Sequence, residues 1–156
     1  RTFSSAASDV YKRQTLEAAE ILVRDGFEVM AYCTADYESC MKLEDIGCVS
    51  IMPLAAPIGS GQGIVEPQKI QKIIDSVSVP VIIDAGIGTA SDASIAMEMG
   101  ADAVLLNTAI AKSENPTQMA LAMKLAVESG RLAHKSGRIP KSQPSPSSPE
   151  KGIIES

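Results

Sequence analysis

Four short aliphatic runs set the limits on what this chain can fold into. They read EVMAYC (28–33), CVSIMP (48–53), VPVIID (79–84) and AVLLN (103–107). Each is continuous rather than alternating, the mark of a strand covered on both faces. Helical spacing fills the gaps. Leu16, Ala19, Leu22 and Val23 form one stripe, closed by Gly26. Cys40, Leu43 and Ile46 form the next, closed by Gly47. Pro67 suits a first helical turn ahead of Ile70, Ile73, Ile74 and Val77. Thr89 or Ser91 can cap a helix through Ile95 and Met99 to Gly100. Asn115-Pro116 opens a last helix, with Met119, Met123, Ala126 and Val127 on one face and Gly130 as its expected stop.

Strand and helix alternating through short links require parallel strands joined by right-handed crossovers. With 156 residues, 45% hydrophobic and only 3% aromatic, the core must be aliphatic. Four parallel strands fit either a small open sheet or half of an eight-stranded barrel, whose full form takes about 250 residues. Glycine placement favours the half-barrel, because barrels keep their chemistry at the C-terminal strand ends. The glycines gather there: Gly59, Gly61 and Gly63 after the second run, Gly86 and Gly88 after the third.

Such loops let backbone amides converge on an anion. Gly59–Gly63 alone fits a flexible turn equally well, and Asn107-Thr108 alone fits a simple cap. Together, at the ends of neighbouring strands, they point to a phosphate site. Neither a GKS/T P-loop nor GxGxxG occurs, which disfavours a nucleotide. Asp84 ends VPVIID at the same mouth. It is either a general acid/base or a brace for the following loop.

The net charge of −5 argues against a nucleic-acid surface. Pro, Gly and charge cut every apolar stretch short of a membrane span, and no signal peptide is visible. Cys33, Cys40 and Cys48 are odd in number and lack CxxC spacing. They read as buried, inert thiols in a reducing compartment, hence a cytoplasmic protein. His134 reads as a solvated helix-end residue with no role, and no metal site is expected.

PIGSGQGI, VPVIIDAGIGTASDASIAMEMGADAVLLNTAIA and MALAMKLAVESGRLAHKSGRIPK closely resemble the C-terminal half of bacterial thiazole synthase. EILVRDGFEVMAYCTAD and KLEDIGCVSIMPLAAPIGSGQG extend the match upstream, so it runs from about Thr15 to Lys141. The resemblance implies an α/β fold, the C-terminal half of a (β/α)8 TIM barrel. It implies a thiamine-pathway enzyme that joins 1-deoxy-D-xylulose 5-phosphate, 2-iminoacetate (dehydroglycine) and sulfur from a thiocarboxylated carrier protein into thiazole phosphate. No cofactor is implied. The implied partners are the sulfur carrier, the dehydroglycine-producing enzyme and further copies in a homotetramer. By motif, Gly59, Ala85-Gly86 and Asn107-Thr108 would hold the sugar phosphate, and Asp84 would move protons.

The family also binds the sugar's ketone to a strand lysine as a Schiff base, upstream of the region matching Thr15. Lys12 is the sole lysine there and matches nothing; Lys42, Lys69, Lys72, Lys112 and Lys124 fall on helices or loops. The resemblance thus implies that this piece is inactive alone. With half a core and open sheet edges, it is expected to be unstable or to aggregate. A non-catalytic phosphate-binding half-barrel is the alternative, and another phosphate-binding barrel enzyme is a third reading.

Residues 4–14, SSAASDVYKRQ, back-translate in frame to a transposon-type sequencing adaptor, so 1–14 is expected to be non-native. The expected half-barrel domain is 15–141. Residues 142–156, SQPSPSSPEKGIIES, are expected to form a disordered tail.

Overall fold

The computed structural model describes residues 3–141, with side chains from residue 10 onward. The expected tail, 142–156, lies outside the described residues. Helix α1 (Phe3–Arg24) leads to β1 (Met30–Cys33), α2 (Tyr37–Ile46), β2 (Ser50–Pro53) and α3 (Pro67–Ile74). Then follow β3 (Ile82–Asp84), α4 (Ala90–Glu98), β4 (Ala103–Leu105), the short α5 (Thr108–Ala111) and α6 (Pro116–Ser136).

All strand neighbours are parallel. Met30 pairs with Ser50 across β1–β2, and Ile82 with Ala103 across β3–β4. Bridges Ile51–Val81 and Leu54–Asp84 join the two pairs, giving the order β1-β2-β3-β4. A doubly wound sheet reverses its order at a switch point, whereas a barrel keeps it sequential. The order here is that of a barrel arc.

Partners in a parallel register share a face. Ala31, Cys33, Ile51, Val81 and Ile83 therefore face one way, and all are buried. Leu43 of α2, Ile70 and Ile73 of α3, and Ala93 and Ala96 of α4 complete their cluster. Burying one such Ile is worth about 1.5–3 kcal/mol. Met30, Tyr32, Ser50, Met52, Ile82, Asp84 and Leu105 take the opposite face. On that face the central Ser50 and Met52 are buried, while Met30 and Leu105 on the outer strands are about half exposed, at 54% and 47%.

The end opposite the glycine loops is tied electrostatically. Asp102 accepts from the Val81 amide at 2.9 Å and pairs with Arg131 of α6 at 3.4 Å. Among the described residues, no helix is long and apolar enough to cross a membrane.

Three expectations need correction. Helix α6 does not stop at Gly130 but runs on to Ser136, capped by Gly137. Gly130 is a close-packing site: a Cβ there would lie 2.5 Å from the Ser94 carbonyl oxygen and 2.8 Å from Met97 Cβ. The helix marked by the Leu16–Val23 stripe is longer than that stripe and already begins at Phe3, within the segment expected to be non-native. Residues 3–14 contain no Gly or Pro, so nothing interrupts the helix. Strand β3 is shorter than its apolar run, because Pro80 has no amide to donate to a ladder.

Candidate functional site

Three connections meet at the C-terminal ends of the strands: 54–66 after β2, 85–89 after β3, and 106–107 after β4. They are bonded into one unit. The Gly63 amide donates to the Gly86 carbonyl at 2.8 Å, and the Ala85 amide to the Leu105 carbonyl at 3.3 Å. Asp92, in the first turn of α4, accepts from the amides of Gly88 at 2.9 Å and Thr89 at 3.1 Å. Thr89 is thus the N-cap of α4, which resolves the choice between Thr89 and Ser91.

The tightness of this unit explains its residue types. At Gly86, φ is +77° and a Cβ would lie 2.5 Å from the Ala56 nitrogen. A Cβ at Gly88 would run into the Gly61 carbonyl oxygen. Ala85 has φ +56°, the left-handed region that costs an L-residue about 1–2 kcal/mol. This strain sits in a connection whose residues line the cavity at these strand ends.

A cavity of about 420 Å³ opens among these loops. Asp84, Gly59, Ala85, Gly86, Asn107 and Thr108 all line it. Gly59 and Thr108 face each other: a Cβ on Gly59 would come within 3.8 Å of Thr108 Oγ1. In α5 the bonds back to the Asn107 carbonyl start at the Ile110 amide, so the Thr108 and Ala109 amides have no intrahelical partners.

Asp84 and Lys112 are the two charged residues on the cavity wall. Burial raises the Asp84 pKa above the ordinary carboxylate range, partly opposed by a hydrogen bond from the Ala85 amide. A carboxylate whose pKa is raised is a stronger base than an ordinary one, and once protonated it can return the proton. Tyr32, on the same wall, has its phenol pKa raised by burial and then by the negative charge of Asp84.

Tyr32, Ser60, Lys112 and Ser113 also line the cavity, and sequence reasoning did not single them out as site residues. Tyr32 was hidden inside an apolar run, where a lone aromatic looks like core until strand pairing gives it a face. Lys112 was hidden too, because its placement depends on the turn between α5 and α6.

Lys12 lies elsewhere, on α1, paired with Asp36 at 3.4 Å. None of the four strands carries a lysine. All three cysteines are buried and unbridged. The Sγ atoms of Cys33 and Cys40 are 3.6 Å apart, and that contact with burial pushes the Cys33 thiol pKa up, which makes it a poor nucleophile. His134 is exposed near the end of α6, with Nδ1 3.1 Å from the Glu98 carbonyl oxygen.

The chain is 58% identical over 142 residues to a thiazole synthase of Rhodospirillum rubrum, covering 90% of this chain and 49% of that protein. It is 61% identical to a thiazole synthase of Nitrosomonas eutropha, covering 90% of this chain and 53% of that one. It thus spans about half the length of these curated relatives. Among solved structures, the Amycolatopsis orientalis BexX/CysO complex matches with a TM-score of 0.81 at 37% identity, over 85% of this chain and 55% of that one. A thiamine phosphate pyrophosphorylase from Pyrococcus furiosus shares the fold, with a TM-score of 0.61 at 18% identity over 72% of this chain and 55% of that one. The family model described as thiazole biosynthesis protein ThiG matches residues 8–149, a span that begins inside the segment expected to be non-native. With that match over most of its length, the chain belongs to the ThiG thiazole synthase family.

Proposed function

We propose that this chain is the phosphate-holding and proton-transferring half of a thiazole synthase. In this reading the phosphate of 1-deoxy-D-xylulose 5-phosphate sits against Gly59, Ala85-Gly86 and Asn107-Thr108. The sugar reacts with 2-iminoacetate and with sulfur delivered by a thiocarboxylated carrier protein to give thiazole phosphate. One observation carries it: all these residues and Asp84 line a single cavity at the strand ends, in a chain of the ThiG family.

The chemistry follows from the site. Rigid backbone amides compensate the phosphate charge without moving. Asp84, with its pKa raised by burial, takes a proton from the sugar carbon beside the activated carbonyl and returns it later in ring assembly. The Schiff-base lysine comes from outside the described strands, which carry none. The reading includes a dehydroglycine-producing enzyme as supplier, a homotetramer for the whole enzyme, a cytoplasmic location, and no resident metal or organic cofactor. The solved BexX relative was captured with a second protein, CysO, which supports a protein partner here.

A second reading, a non-catalytic phosphate-binding half-barrel, is favoured by the lysine-free strands. Two measurements test the phosphate site and the missing nucleophile. Calorimetry is expected to show that the chain binds 1-deoxy-D-xylulose 5-phosphate far more tightly than the unphosphorylated sugar; equal affinities would refute the phosphate site. An assay with all three reactants is expected to give no thiazole phosphate from this chain alone. Turnover would show that it holds its own nucleophile.

A further inference from the structure

The concave face of the sheet carries a second polar group whose role the phosphate site does not explain. Tyr32 is the penultimate residue of β1 and lines the same cavity as Asp84. The apolar part of the cavity wall is Ile58, Ile87, Leu105, Leu106 and Met119. Barrel interiors are filled mainly by such side chains. A phenol brings a hydroxyl that seeks a partner once it is covered.

The register fixes where Tyr32 stands relative to Asp84. Tyr32 is level with Met52 of β2, and Asp84 with Leu54. The two residues therefore lie two strand spacings apart, about 10 Å, with Asp84 about 7 Å nearer the loop end. Both face inward over the buried side chain of Met52. Both line the one cavity, at different depths along it. Burial first, and then the Asp84 charge, raise the Tyr32 phenol pKa, so the hydroxyl stays a donor.

We propose that Tyr32 is a substrate-contacting residue of this site: its phenol donates a hydrogen bond to an oxygen on the carbon chain of the bound sugar phosphate, on the side opposite Asp84. The proposal rests on the phosphate site above, which fixes one end of the ligand at the loops. The rest of the ligand then extends over the concave face toward β1. Asp84 accepts from the ligand while Tyr32 donates to it, so the pair orients the carbon chain as well as the phosphate.

The test is calorimetric titration of the 156-residue chain with 1-deoxy-D-xylulose 5-phosphate and, separately, with inorganic phosphate. Tyr32→Phe keeps the ring and removes only the hydroxyl. It is expected to weaken the sugar phosphate about three- to tenfold, the worth of one neutral hydrogen bond, and to leave inorganic phosphate unchanged. Tyr11→Phe, on α1, is the control and is expected to change neither. Equal sugar-phosphate affinity in Tyr32→Phe and the parent would overturn the proposal. So would a parallel loss for both ligands, which marks a packing role. A parent chain that binds neither ligand would sink the phosphate site itself and this contact with it.

Discussion

Asp84 sits between two demands, a buried strand end and, in the proposed chemistry, a carboxyl that changes protonation. Its folded-state pKa is raised by burial. Protonation therefore stabilises the fold, and stability falls as pH rises from the ordinary carboxylate range through the raised value. Asp84→Asn removes the penalty. Thermal melts are expected to show the variant more stable than the parent at pH 7, with the gap closing as pH drops to about 3, below the ordinary carboxylate pKa. A constant gap would mean that Asp84 is not strained by burial. Ala85 offers a second check at this scale. Its φ of +56° predicts that Ala85→Gly stabilises the chain by about 1 kcal/mol in chemical denaturation. The residue scale was also the most legible in sequence. Asp84, Gly86 and Asn107 announce themselves by following aliphatic runs directly. Tyr32 did not, because one aromatic inside a buried strand looks like core until the register gives it a face.

Among the elements, the contact between α4 and α6 is where sequence logic and structure part. Helix propensity alone predicts that Gly130→Ala stabilises α6 by up to about 1 kcal/mol. The packing predicts the reverse. The new Cβ would press on the Ser94 carbonyl and Met97, so denaturant melts are expected to show a loss of about 1–3 kcal/mol. A gain would mean that the helices do not approach so closely. A glycine late in a helix reads as a stop because local rules cannot see a partner helix, and this contact spans more than thirty residues of sequence. The caps that are purely local were legible: Asn115 accepts from the Gln118 amide at 3.0 Å, and Gly47 ends α2 at φ +102°. Asp92 is a cap with a further task, since it holds the amides of Gly88 and Thr89 beneath the glycine loops. Asp92→Ala is expected to cost about 1–2 kcal/mol and to raise proteolytic sensitivity at 85–89.

At the scale of the whole molecule, the sequential parallel arc leaves β1 and β4 with unpaired outer edges in the described structure. The concave face exposes Met30, Tyr32 and Leu105 along the same two strands. Open edges and apolar surface together drive association. Size exclusion with light scattering is therefore expected to give a mass above the 16.4 kDa of one chain. The strand order was legible because βα alternation and short links allow few topologies. The covering of the concave face was not, since it depends on surfaces that these four strands do not supply. The central claim is that the three loops form one phosphate site. Hydrogen exchange read by mass spectrometry, with and without 1-deoxy-D-xylulose 5-phosphate, tests it most directly. The account predicts slowed exchange at the peptides holding Gly59, Ala85-Gly86 and Asn107-Thr108. Unchanged exchange at these three loops in the saturated complex would contradict it.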